Sequence, residues 1–137
     1  MSFKLHQNFL SKFFLHDFPL CKVLLEDERH YPWLLLIPRR NQVSKLVDLS
    51  SEDQLQLNSE LNLAQQILLD KFHPDQLNVA AIGNITPQLH IHVIARFKDD
   101  PAWPYTVWDH SIRASYAKSE REDTIQALRE AFLGVAF

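Results

Sequence analysis

The stretch Gln88-Leu89-His90-Ile91-His92-Val93 alternates polar and apolar side chains. Side chains alternate across a β-strand, so Gln88, His90 and His92 would share one face, with Leu89, Ile91 and Val93 on the other, backed by a helix. A neutral imidazole is a fair nucleophile towards phosphorus near pH 7, and a protonated one donates to phosphate oxygens. Attack by one histidine would divide a substitution at phosphorus into two steps, through a phosphoramidate that water can open. A histidine two residues on could donate to a phosphate oxygen or to the departing group. Gly83 and Asn84 precede the stretch and could add backbone and amide donors from a tight turn.

The same spacing fits other roles. A His-x-His pair on a strand also suits zinc, but no Cys or carboxylate cluster supplies the remaining ligands. Solvated surface histidines, or hydrogen-bonded core histidines, are compatible with so short a motif. Spacing alone leaves catalysis, metal binding and packing open.

The rest of the composition narrows the setting. A chain of 137 residues reads as a single domain over 1–137, long enough to bury a core. A formal net charge of -3 gives no general attraction to nucleic acid or to anionic membranes, so neither is expected as a partner. A phosphate pocket must then be built locally. The two glycines, Gly83 and Gly134, exclude a glycine-rich phosphate loop of the Walker or Rossmann kind. Cys21 is the only cysteine, reads as a small hydrophobe in a strand, and points to a reducing, cytoplasmic setting. Lys4, Lys12, His16 and Asp17 interrupt the first twenty residues, which therefore lack a signal-peptide core or membrane span.

The elements that must position the histidines follow from periodicity. Phe9, Leu10, Phe13 and Phe14 predict a short opening helix over 6–14. Leu20 to Leu25 and Trp33 to Ile37 read as strands joined by a polar turn, hence antiparallel neighbours. Ser50 and Ser51 before Glu52 and Asp53 open a helix, with Leu57, Leu61, Ala64 and Leu68 as its apolar stripe to about Phe72, and Pro74 ends it. Leu77 to Ile82 and Leu89 to Phe97 are the next strands, and Tyr105 to Trp108 a short fifth. Ser119 and Glu122 fit a capping box for a last helix carrying Ile125, Leu128 and Phe132. The sum is an α+β fold: a mostly antiparallel sheet of about five strands, a long central helix and a C-terminal helix. The motif region is 78–96, and a helical extension occupies about 111–137.

Gln88-Leu-His90-Ile-His92-Val-Ile, preceded by Gly83-Asn84 and followed by Arg96, resembles the histidine triad (HIT) signature of His-apolar-His-apolar-His-apolar-apolar. Tyr31-Pro32-Trp33 through Pro38-Arg39, the helix after Leu49-Ser50, and Asn78 are arranged as in HIT domains, so the likeness covers roughly residues 1 to 110. Asp99-Asp100-Pro101-Ala102-Trp103-Pro104 and Val107-Trp108 look like a bacterial subgroup. The resemblance implies a homodimer with a joined antiparallel sheet. It implies a hydrolase or transferase of nucleoside monophosphates from phosphoanhydrides or phosphoramidates, of the dinucleoside polyphosphate type. His90 then matches the nucleophile, and His92 the histidine that contacts phosphate and assists the leaving group. Asn78, Gly83 and Asn84 fall at the phosphate site, and Asp27 is the candidate for the ribose hydroxyls. No cofactor is required and no metal at the histidines, although a divalent ion could accompany a polyphosphate substrate.

Gln88 stands where the family motif has its first histidine. It can donate and accept hydrogen bonds but cannot carry a proton charge. It is counted with His90 and His92 as a catalytic candidate. Two readings follow: an active enzyme that tolerates Gln88, or a nucleotide-binding regulatory protein with weak or no catalysis because of it. Core packing is expected of Trp33, and interface or substrate contacts of Trp103 and Trp108. Arg96 reads as solvated. His6, His16, His30, His73 and His110 have no partners at meaningful spacing.

Overall fold

Ser50 starts the long helix as expected. In the computed structural model, which describes residues 2–135, α1 spans Ser51–Phe72 and the Ser50 side chain accepts from the Asp53 N–H at 3.1 Å. Glu52 and Asp53 face the positive end of the helix dipole. His73 adopts a left-handed φ of 50° and donates its N–H to Leu69 O, and Pro74 follows where the helix cannot continue. The buried stripe is Leu57, Glu60, Ala64, Ile67 and Leu68. Glu60 looks misplaced there until its partners are named. Its carboxylate accepts the N–H groups of Leu20 and Cys21 at 2.8 and 2.7 Å, pairing backbone donors that burial would otherwise orphan. Cys21 is fully buried beside it, and that burial pushes the thiol well up, which suits a packing role.

The sheet contains five strands, all paired antiparallel: β1 (Phe13–Asp17), β2 (Cys21–Leu25), β3 (Trp33–Pro38), β4 (Gln76–Ala80) and β5 (Ile91–Arg96), in the spatial order β1-β2-β3-β5-β4. The strands expected over Leu77 to Ile82 and Leu89 to Phe97 are shorter at the turn between them, the first ending at Ala80 and the second beginning at Ile91. Other local expectations fail outright. The opening helix is only a 3-10 turn over Gln7–Phe9, because Phe13 and Phe14 pair with Leu25 and Leu24 as a strand. A bulge between Phe14 and His16 lets Leu15 reach the core. The segment proposed as a fifth strand at Tyr105 to Trp108 instead ends in a 3-10 turn at Val107–Asp109, and β1 is the remaining strand.

α2 runs Lys118–Leu133. Its N-cap is Ala117, without a side-chain bond, so the Ser119 and Glu122 capping box does not form. The start lies earlier than Ser119 because Asp27 Oδ1 takes the Tyr116 N–H at 2.9 Å and Ala117 O already accepts from Arg121. Residues 136 and 137 of the expected extension, like Met1 of the expected domain, lie outside the described residues. No helix among the described residues is long and apolar enough to cross a membrane.

The two faces of the sheet differ. Val23, Leu34, Leu36, Leu89, Ile91 and Val93 join one core cluster with Leu57, Ala64 and Leu68 of α1 and with Leu128 and Phe132 of α2. Leu24, Trp33, Leu35, Ile37 and Ile94 occupy the other cluster, closed by Phe9 and by Ala102 and Val107 after β5. His92 lies opposite Leu35 in register, on this second face.

Arg96 is two residues beyond Ile94 on the same face, and it is 2% exposed rather than solvated. Its Nε and Nη2 donate to the two Asp100 oxygens at 2.8 and 3.0 Å, and its Nη1 to Asn78 Oδ1 at 2.8 Å. The guanidinium also lies over the Tyr31 and Trp103 rings, 5.4 and 5.8 Å from their centroids. Asp100 further accepts the N–H groups of Phe97, Ala102 and Trp103, which folds the chain after β5 back across the sheet.

Candidate functional site

His92 is held by the strand beside it. Trp33 sits opposite Ile94 in the antiparallel β3–β5 pair, so its side chain is the diagonal neighbour of His92 on one face. Its indole Nε1 donates to His92 Nδ1 at 3.0 Å. An indole N–H only donates, so Nδ1 must be the acceptor, and the neutral ring carries its proton on Nε2. Burial, then the positive charges available to His90 and Lys12, pull His92 down to about 4. The imidazole is therefore neutral at physiological pH.

His90 immediately precedes β5, and its Nδ1 lies 2.8 Å from Gln88 O. A carbonyl only accepts, so here the proton is on Nδ1 and Nε2 keeps its lone pair. The two rings pack edge to face with centroids 5.0 Å apart. Phe9 packs against His90 at 4.9 Å, and Trp108 against His92 at 4.9 Å and against Trp33 at 5.7 Å. Neighbouring imidazoles thus offer complementary atoms, one lone pair and one N–H, as attack on a phosphoryl centre requires.

They border a cleft of about 360 Å³, lined by residues 82–86 with His90, His92 and Trp108, within the range that accommodates a small ligand. A smaller recess of about 180 Å³ adjoins it at Ile82, Gly83 and His90 and includes Ser44 and Lys45. Gly83 has a φ of +69°, a left-handed conformation that disfavours a side chain, and an added Cβ would stand 3.4 Å from Thr86 O. Asn84 is exposed on the cleft.

The remaining sequence candidates are placed elsewhere. The Gln88 side chain turns to the N-terminal segment, accepting from His6 N at 2.8 Å and donating to Lys4 O at 2.9 Å. It serves as a surrogate peptide group that anchors the segment carrying Phe9, while its own backbone carbonyl orients His90. Asn78 is engaged with Arg96, and Asp27 with Tyr116 N. Neither lines the cleft at the histidines.

Trp33 packs in the core as expected, at 5% exposed, and is in addition the donor to His92, which sequence reasoning missed. The available signal was its indole N–H, which needs an acceptor when buried. The ion pair of Lys12 Nζ with Glu26 Oε1, at 2.6 Å, was also missed, and the Lys12 charge reaches His92. Among the described residues, no group of three or more His, Cys, Asp or Glu side chains is placed to hold a metal ion.

A family model described as the HIT domain matches residues 8–99. Solved structures of histidine triad proteins are similar over nearly the whole chain. One from Bradyrhizobium japonicum is 38% identical with a TM-score of 0.91, covering 96% of this chain and 98% of that one. Another from Marinobacter aquaeolei VT8 is 32% identical with a TM-score of 0.93, covering 99% and 100%. A third, from Sinorhizobium meliloti 1021, is 32% identical with a TM-score of 0.89, covering 94% and 96%. No curated protein matches the chain.

Proposed function

This chain belongs to the HIT family, and from that premise we propose that it is a nucleotide hydrolase or transferase working through a nucleotidyl intermediate on His90. The observation that carries this reading is the pair of opposed tautomers. His90 Nε2 attacks the α-phosphorus, and the resulting cationic ring keeps its Nδ1–H on Gln88 O. His92 Nε2–H donates to a non-bridging oxygen, where negative charge builds up. Asn84 and the backbone at Gly83 supply further donors at the phosphate, and Trp108, Ile82 and Ile85 an apolar wall for the base. Asp27 is not assigned to the ribose in this reading, since its Oδ1 is engaged by the Tyr116 N–H.

The reading needs no metal at the histidines; a divalent ion would travel with a polyphosphate substrate. Catalysis is favoured over binding alone because the Gln88 amide is occupied by Lys4 and His6, so exchanging that side chain subtracts nothing from the reacting atoms. Brief mixing with a diadenosine polyphosphate should add one adenylyl group, a nucleoside monophosphate less water, to the intact mass, mapping to the peptide that contains His90. The absence of both adduct and turnover across a panel of anhydrides and phosphoramidates would sink the proposal.

We also propose a homodimer joined through β4. The β1 edge is obstructed, since the Arg129 guanidinium donates to Phe14 O at 3.0 and 2.7 Å. β4 is the opposite edge, and Val79 within it and Ile82 and Ile85 just after it are 43%, 46% and 91% exposed. Val79→Glu would set two like charges against each other across a two-fold interface. Sedimentation should show a wild-type dimer and a monomeric variant. A monomeric wild type would refute the joined sheet.

A further inference from the structure

The phosphorus chemistry proposed above leaves the departing group open, and the contact behind His92 narrows it. We propose that Trp33, by donating its indole N–H to His92 Nδ1, holds His92 as a neutral Nε2–H donor and so restricts the site to substrates whose leaving group departs as an anion. These are phosphoanhydrides rather than phosphoramidates. The inference rests on the nucleotidyl-transfer reading.

A second proton on His92 would have to go to Nδ1, where it would meet the indole N–H head on and break the 3.0 Å bond. Trp108 packs against the ring at 4.9 Å, and the residue is 9% exposed, so little solvent is available to offset the charge. The charged and titratable groups facing it are His90 just before the same strand and Lys12 from the N-terminal segment, the latter paired with Glu26 of the β2–β3 turn. Both His90 and Lys12 oppose an added positive charge. These terms keep the ring neutral down to about 4.

For an anhydride, the lone pair of His90 Nε2 forms the N–P bond as the bridging P–O bond breaks. The electron pair leaves with the oxygen, which departs as a phosphate anion and needs no proton. Water then attacks phosphorus, its proton passes to solvent, and the N–P electron pair returns to Nε2. An amine differs: its nitrogen must gain a proton as the P–N bond breaks. His90 Nδ1–H is committed to Gln88 O, and His92 would have to leave as an imidazolate to give up Nε2–H. The site has an electrostatic donor where amine expulsion needs an acid.

Imidazole ¹H–¹⁵N correlation spectra read the tautomer directly. Wild-type His92 should show Nε2–H, an accepting Nδ1, and no titration between about pH 5 and pH 7. Turnover of diadenosine triphosphate should exceed that of adenosine 5′-phosphoramidate by about tenfold or more. In Trp33→Phe the Nδ1 nitrogen loses its donor, titration should move up, and that preference should shrink by about tenfold. Trp108→Phe, which keeps a ring on His92 and leaves the indole bond of Trp33 in place, should retain the wild-type tautomer.

A wild-type His92 with Nδ1–H, or one that is cationic near pH 6, overturns the proposal. So does equal turnover of the two probes, or a Trp33→Phe protein with unchanged nitrogen shifts. These arms hold for the wild type even if the variant fails to fold. A protein that binds and turns over neither probe overturns the nucleotide reading, and the leaving-group restriction with it, while the nitrogen spectra still judge the Trp33 contact.

Discussion

His90→Ala is expected to lower nucleotidyl turnover by about 10⁴-fold or more, and to remove the covalent adduct altogether. The expectation follows from the geometry at one atom. His90 Nε2 is the unprotonated nitrogen of a ring fixed through Gln88 O and Phe9, beside a cleft that His92 also borders. Alanine removes the lone pair and leaves the Trp33–His92 pair and the 82–86 loop in place, so the affinity for a nucleoside monophosphate should change far less than the rate. Calorimetric binding beside single-turnover kinetics separates the two. A variant that kept a substantial share of turnover would move the nucleophile elsewhere.

The largest expected effect on stability is at Arg96. Arg96→Leu removes the cation from a pair in which both side chains are only 2% exposed. Breaking such a pair from one side leaves a buried charge without its partner, at a cost of about 3–5 kcal/mol. Asp100 would retain its backbone donors, Phe97, Ala102 and Trp103. The pair has an acid signature as well. Burial pushes the Asp100 carboxyl up, but the Arg96 bonds and those backbone donors outweigh it and hold it below the usual carboxylate value. A depressed carboxyl contributes stability that is present above its unfolded value and is lost as pH falls through the folded one. Urea midpoints of the wild type should therefore decline in acid, below about pH 4, and this slope should flatten in Arg96→Leu. A variant within about 1 kcal/mol of the wild type would show that the loop 97–103 is held by other contacts.

Legibility varied with the range of the interaction. α1 was readable to within a residue because its signals are local: a hydroxyl at Ser50 capping Asp53 N, and Pro74 after the last turn. β5 was readable to within two residues at its start because Ile91 and Val93 had to be buried on one side. The opening segment misled because Phe9, Leu10, Phe13 and Phe14 satisfy helical spacing while pairing with β2 was the stronger option, and pairing is a property of two segments.

The histidine pair itself was visible in the sequence, as was the turn at Gly83, since alternation and turn chemistry act between near neighbours. The strand, however, begins only at Ile91, so it carries His92 while Gln88 and His90 lie in the segment before it. Tertiary structure alone decided what surrounds the pair. Gln88 found partners 84 and 82 residues away at Lys4 and His6, Asp27 found one 89 residues away at Tyr116, and Trp33 met His92 across 59 residues. A side chain's hydrogen-bond partner sets its orientation and, for an imidazole, which nitrogen holds the proton. No spacing rule specifies that partner when it comes from a distant segment. The sequence determined that two imidazoles stand together; the packed sheet decided that one offers a lone pair and the other a proton.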